Sequence, residues 1–88
     1  AWIASARSDL HIVYGHTSHG SQLISGMTGL SDIYGTGFKF NNGGSEGALD
    51  LYDVFASGDL GNPDFVTWAS LTRDFLNTAS NTEVNVVI

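Results

Sequence analysis

The chain has 88 residues, 42% of them hydrophobic and 14% charged, with nine acids against three bases and a formal net charge of −6. That is room for one small domain with a real core. The charged share lies well below the roughly one quarter usual for soluble domains, which implies that part of the surface meets more protein. The three bases, Arg7, Lys39 and Arg73, form no basic stripe, which excludes nucleic acid and an anionic membrane surface as partners. The absence of cysteine excludes disulfides, thiolate metal sites and thiol catalysis. No stretch approaches the roughly 18 apolar residues of a membrane span. The chain opens at Ala1 without a basic-then-apolar leader, as a mature or trimmed product would.

A first strand is expected over Asp9 to Tyr14, where Leu10, Ile12, Val13 and Tyr14 make a near-continuous apolar run broken by His11. Such a run suits a strand buried on both faces of a parallel sheet. Gly15 ends it. A helix follows from Ser18 to about Gly29, with Leu23, Ile24, Met27 and Leu30 at helical spacing and Ser18 or His19 at the N-cap. "IYGTGFKFNNGG" reads as a turn, a short strand at Phe38 to Phe40, and a glycine-rich loop. Gly43 to Gly61 reads as a long acidic loop with a helical turn at Ala48 to Phe55, and loops of that length are usually functional. The next helix starts at Asn62 as N-cap and Pro63 in the first turn, with Asp64 complementing the macrodipole. Its apolar stripe is Phe65, Trp68, Leu71, Phe75 and Leu76, and such a stripe is packing surface, placing Trp68 and Phe75 on a sheet. Val84 to Ile88 is the last expected strand. The order β-α-β-α-β implies parallel strands with crossover helices.

The segment "IVYGHTSHGSQL" concentrates the polar chemistry. Gly15 and Gly20 have the spacing of a phosphate loop, but Ser21 stands where that loop needs lysine. His16 and His19 are three apart, and zinc wants a third ligand, which Asp50, Asp53 or Asp59 would have to bring. Polar loop residues making ordinary hydrogen bonds are the simpler reading of the two histidines. Ser18 falls at a strand–turn–helix junction, where ligands of open α/β sheets bind and where helix N–H groups can meet an oxyanion. It can be a nucleophile, or simply a helix cap.

The order of these motifs resembles the N-terminal part of SGNH (GDSL-like) hydrolases, and "YGHTSHGSQLISGM", "GDLGNPDFVTWASLTRDFLN" and "NTEVNVVI" are similar to uncharacterised SGNH-like bacterial proteins that are often exported. The resemblance implies a flavodoxin-like, three-layer α/β fold, of which 88 residues are the N-terminal half. In that family the first strand ends in Gly-Asp-Ser, whose serine is the nucleophile. Ser18 matches that place, with His16 and Thr17 standing between it and Gly15. A glycine after the second strand joins the oxyanion hole, and Gly43 or Gly44 matches it beside the N–H of Ser18. The family's Gly-x-Asn-Asp and Asp-x-x-His blocks are expected beyond Ile88.

Two functions from different classes follow. One is a serine ester hydrolase fragment, with Ser18 as nucleophile, a small ester-type substrate and no cofactor. His16 or His19 would be the local substitute for a base. The other is a non-catalytic structural or ligand-binding α/β piece. In either case the apolar Val84–Ile88 strand is expected to pair with a second copy or with the rest of a larger chain.

Overall fold

A computed structural model describes residues 2–53 and 66–88, with Ser18 described by its backbone alone. Among the described residues, three helices and four strands make a small α/β domain. They are α1 (Trp2–Asp9), β1 (His11–Tyr14), α2 (Ser21–Tyr34), β2 (Phe40–Asn41), β3 (Leu49–Asp53), α3 (Thr67–Asn77) and β4 (Val86–Val87). The sheet order is β2-β3-β1-β4 and every pairing is parallel. β1 is therefore hydrogen-bonded along both edges, to β3 from His11↔Asp50 to Tyr14↔Asp53 and to β4 at Ile12↔Val86 and Val13↔Val87.

Alternation along the strands sorts side chains onto two faces. Asp50 and Tyr52 face α3, where Tyr52 meets Phe75 edge to face with ring centroids 5.7 Å apart. Leu49 faces the other helical layer, lining a cleft of about 120 Å³ with Ile3, Ala6, Met27 and Leu30 from α1 and α2. Val13, Ala48 and Leu51 are the buried apolar residues among those described, and Val13 is the largest fully buried side chain.

Several expectations are corrected. The N-terminal segment is a helix, α1, which no motif announced, and it takes Asp9 out of the first strand. Its contribution to the cleft is Ile3, Ala6 and Arg7, spaced i, i+3, i+4. The second helix runs on to Tyr34 through Gly26 and Gly29 and stops at Gly35, which adopts a positive φ of 90°. Phe38 closes a 3₁₀ turn, so the short strand moves to Phe40–Asn41.

The largest correction concerns Ala48 to Phe55. Leu49 to Asp53 is a strand rather than a helical turn. The period-2 alternation of "LDLYD" explains it, since Leu49 and Leu51 go to one face and Asp50 and Tyr52 to the other. β2 reaches β3 through only residues 42–48, a short link for parallel strands, which usually need a dozen residues or more. Gly43, Gly44, Glu46 and Gly47 all take positive φ there, and the left-handed run lets the chain double back.

The last strand is shorter than expected, at Val86–Val87. The ladder nevertheless continues past both ends, through Asn85 N–H to the His11 carbonyl (2.9 Å) and Ile88 N–H to the Val13 carbonyl (3.0 Å). The Asn85 side chain acts as a surrogate peptide. Its Oδ1 accepts from the His11 N–H at 2.8 Å and its Nδ2 donates to the Asp9 carbonyl at 2.7 Å, tying the end of α1 to the start of both strands.

The stripe of the last helix is less buried than its spacing suggests. Trp68 is 52% exposed, and Leu71 and Leu76 are exposed too, whereas Phe75 packs on Tyr52. Asn62, Pro63, Asp64 and Phe65 lie outside the described residues, as does Asp59. Val13→Ala is expected to cost about 2–3 kcal/mol, from two lost methyl groups and the cavity they leave. Trp68→Ala is expected to cost under about 1 kcal/mol, as exposed positions do. Chemical denaturation of both variants checks the ordering.

Candidate functional site

The carboxyl ends of β1 and β3 lie side by side because Tyr14 pairs with Asp53. Gly15 then donates its N–H to the Ile88 carbonyl at 2.9 Å, so the chain leaves β1 still tied to the sheet. His16 turns back over this edge. Its Nε2 bonds Asp53 Oδ1, its Nδ1 is 2.9 Å from the Thr17 carbonyl, and its ring stacks on Tyr14 at 4.6 Å. Ser18 to Gly20 forms a 3₁₀ turn that leads into α2. The Tyr14 hydroxyl closes the loop by donating to the Gly20 carbonyl at 3.2 Å.

Gly20 is required here by space rather than by backbone angle, since its φ and ψ are ordinary helical values of −65° and −22°. A Cβ at this position would stand 2.2 Å from His16 Cβ and 2.8 Å from the Tyr14 hydroxyl. Any side chain would have to dislodge the imidazole.

Among the residues the sequence singled out, Ser18 has its backbone at the carboxyl end of a strand paired on both sides, immediately ahead of a helix. The cap position of α2 is Gly20, not Ser18 or His19, so neither residue fills it. His16 has both ring nitrogens engaged and is only 10% exposed at its side chain, which leaves no lone pair for a base while those bonds hold. His19 is exposed on the turn.

Gly43 and Gly44 are not free to serve an oxyanion, because their amides are already donated. Gly43 N–H goes to Asp50 Oδ1 at 2.9 Å and Gly44 N–H to the Asn41 carbonyl at 3.3 Å. Gly43 is thereby tied to Asp50, three residues, or about 10 Å, before Asp53 along β3. Among the described residues no three His, Asp or Glu side chains come together as a metal set.

Sequence reading named Asp53 only among carboxylates that a metal would need. Its role as the partner of His16 depends on the β1–β3 register, which a helical turn over residues 48–55 does not provide. The carbonyl of Thr17 on Nδ1, and next the Asp53 carboxylate on Nε2, hold the His16 pKa above its ordinary value, against a smaller lowering from partial burial. Both bonds are best made by the imidazolium, which donates from both nitrogens.

No protein-family model, curated protein or solved structure matches this chain.

The sign of the His16 contribution follows from its raised pKa. Folding favours the protonated form, so the contribution is fully present below the unfolded pKa of about 6.5 and is lost as pH rises through the higher folded value. Stability is therefore expected to fall across that window. In Asp53→Asn the fall should be smaller and the His16 pKa lower. Proton NMR titration of the imidazole, with denaturation at several pH values, checks both.

Proposed function

We propose that the chain is the nucleophile-bearing part of an SGNH-like, flavodoxin-type serine hydrolase acting on a small ester or similar acyl compound, with Ser18 as nucleophile. The observation that carries this reading is the place of Ser18 in the backbone, between the carboxyl end of the central strand and the head of α2. The strands flanking β1 support it as well. With β2 as an added edge, β3, β1 and β4 stand in the 2-1-3 order of flavodoxin-like sheets.

In this reading the Ser18 hydroxyl attacks the acyl carbon and passes its proton to a base. The base returns the proton to the alcohol as the ester bond breaks, and water then releases the acid from Ser18. N–H groups at the head of α2 hold the oxyanion. His16 serves as a clamp, since Asp53 and Thr17 occupy its nitrogens. The base is His19 or a group brought by protein that completes the sheet. A fluorophosphonate probe is expected to label Ser18, with the label lost in Ser18→Ala and retained in Ser70→Ala, as read by peptide mass spectrometry.

The commitment of His16 also favours a second reading, a non-catalytic α/β piece that completes its sheet with another chain. Absence of label at Ser18 in every assembly state would select it.

Both readings include association. Val87, in the outermost described strand β4, is 41% exposed, and Ile88 next to it is 62% exposed. Exposed apolar edges template further pairing, here with a second copy or a larger protein. Sedimentation is expected to show association that Val87→Lys weakens at least tenfold. A cooperatively folding monomer at all concentrations would refute it.

A further inference from the structure

The face of the sheet opposite the Ser18 loop's Asp53 carries a second histidine–carboxylate pair that the hydrolase reading does not use. Asp50 and Asp53 are separated by an odd number of strand positions, so their side chains leave opposite faces of β3. His11 Nδ1 lies 2.8 Å from Asp50 Oδ2, and Asp50 Oδ1 accepts the Gly43 N–H at 2.9 Å. Each carboxylate oxygen thus holds one N–H, which fixes the carboxylate and assigns the imidazole proton to Nδ1. In the neutral ring the remaining polar atom, Nε2, is then an acceptor.

His11 and Asp50 line a cavity of about 160 Å³ between the sheet and α3. Tyr52 and Phe75, in edge-to-face contact, form part of its wall, and Glu83 lies at its border. The described lining holds two carboxylates and no lysine or arginine. Asp50 is spent on His11 and Gly43, so Glu83 brings the carboxylate that is not committed within this cluster. At roughly 30 Å³ per water in the liquid, the space equals about five waters, enough for an amine carrying one small ring.

We propose that this cavity is a binding site for a small organic ammonium ion. Glu83 supplies the counter-charge, His11 Nε2 accepts an ammonium N–H, and the Tyr52–Phe75 pair packs the organic body and offers ring faces to the cation. An anion would meet Glu83, and the described lining has no lysine or arginine to offset it. The inference does not rest on Ser18 being a nucleophile, because no residue is shared between the two sites.

The test uses the whole chain and three probes of one shape, benzylamine, benzyl alcohol and benzoate, followed by the NMR signals of the His11 ring. Benzylamine is expected to shift these signals saturably, the alcohol to bind at least fivefold more weakly, and benzoate not to bind. Glu83→Gln, at an exposed position, should weaken benzylamine at least fivefold with the amide spectrum otherwise kept. His11→Gln, followed through the Tyr52 and Phe75 ring signals instead, should weaken it as well. No saturable shift with benzylamine, equal binding of benzoate, or unchanged affinity in Glu83→Gln would overturn the proposal.

Discussion

The parallel pairing of β1 on both edges is the constraint on which the rest of this structure depends. Four residues, His11 to Tyr14, face Asp50 to Asp53 on one side, and Ile12 and Val13 face Val86 and Val87 on the other. Val13 sits at the crossing of these ladders and is the largest fully buried side chain among the described residues. Because backbone groups buried in a sheet must be paired, the ladders fix the register. The register in turn decides which side chains meet at either end. His11 meets Asp50 at one end, and the turn after Tyr14 brings His16 onto Asp53 at the other.

The two pairs explain how an acidic segment becomes a strand beside a central one. Asp is depleted in strands and costly to bury alone. Here Asp50 is bonded by an imidazole and a backbone amide, and Asp53 by the His16 ring. The acids and histidines lie 37 and 39 residues apart in sequence. Neither set signals the other locally.

What was legible in the sequence follows the range of the interactions. β1, α2, α3 and β4 rest on local apolar patterns, and each is present, with shifted ends where glycine or a 3₁₀ turn intervenes. The strand–turn–helix junction at Ser18 was legible for the same reason. β3 was also written in its sequence, as the alternation of "LDLYD", but its acids outweighed the alternation. α1 lies against β3 but has no buried residue, so it carries little apolar pattern of its own. The exposure of Trp68 was not legible, because spacing defines a face but not what covers it.

The clamp at His16 links fold and candidate site through a single side chain. Tyr14, which ends β1, stacks on the imidazole and bonds the Gly20 carbonyl at the head of α2. The imidazole in turn holds β3 through Asp53 and its own loop through Thr17. Gly20 leaves the space that lets the ring lie there. Residues 15–20, which include Ser18, are thus enclosed by contacts at both ends, and the protonated form of His16 satisfies all of them at once. A loop held this way keeps its backbone in place without a large core beneath it. That matters in a domain whose described buried apolar residues are Val13, Ala48 and Leu51. The same hydrogen bonds that order the loop remove His16 from proton transfer. In the proposed reading of Ser18 as a nucleophile, its base is therefore a group other than His16, either His19 or one brought by a partner.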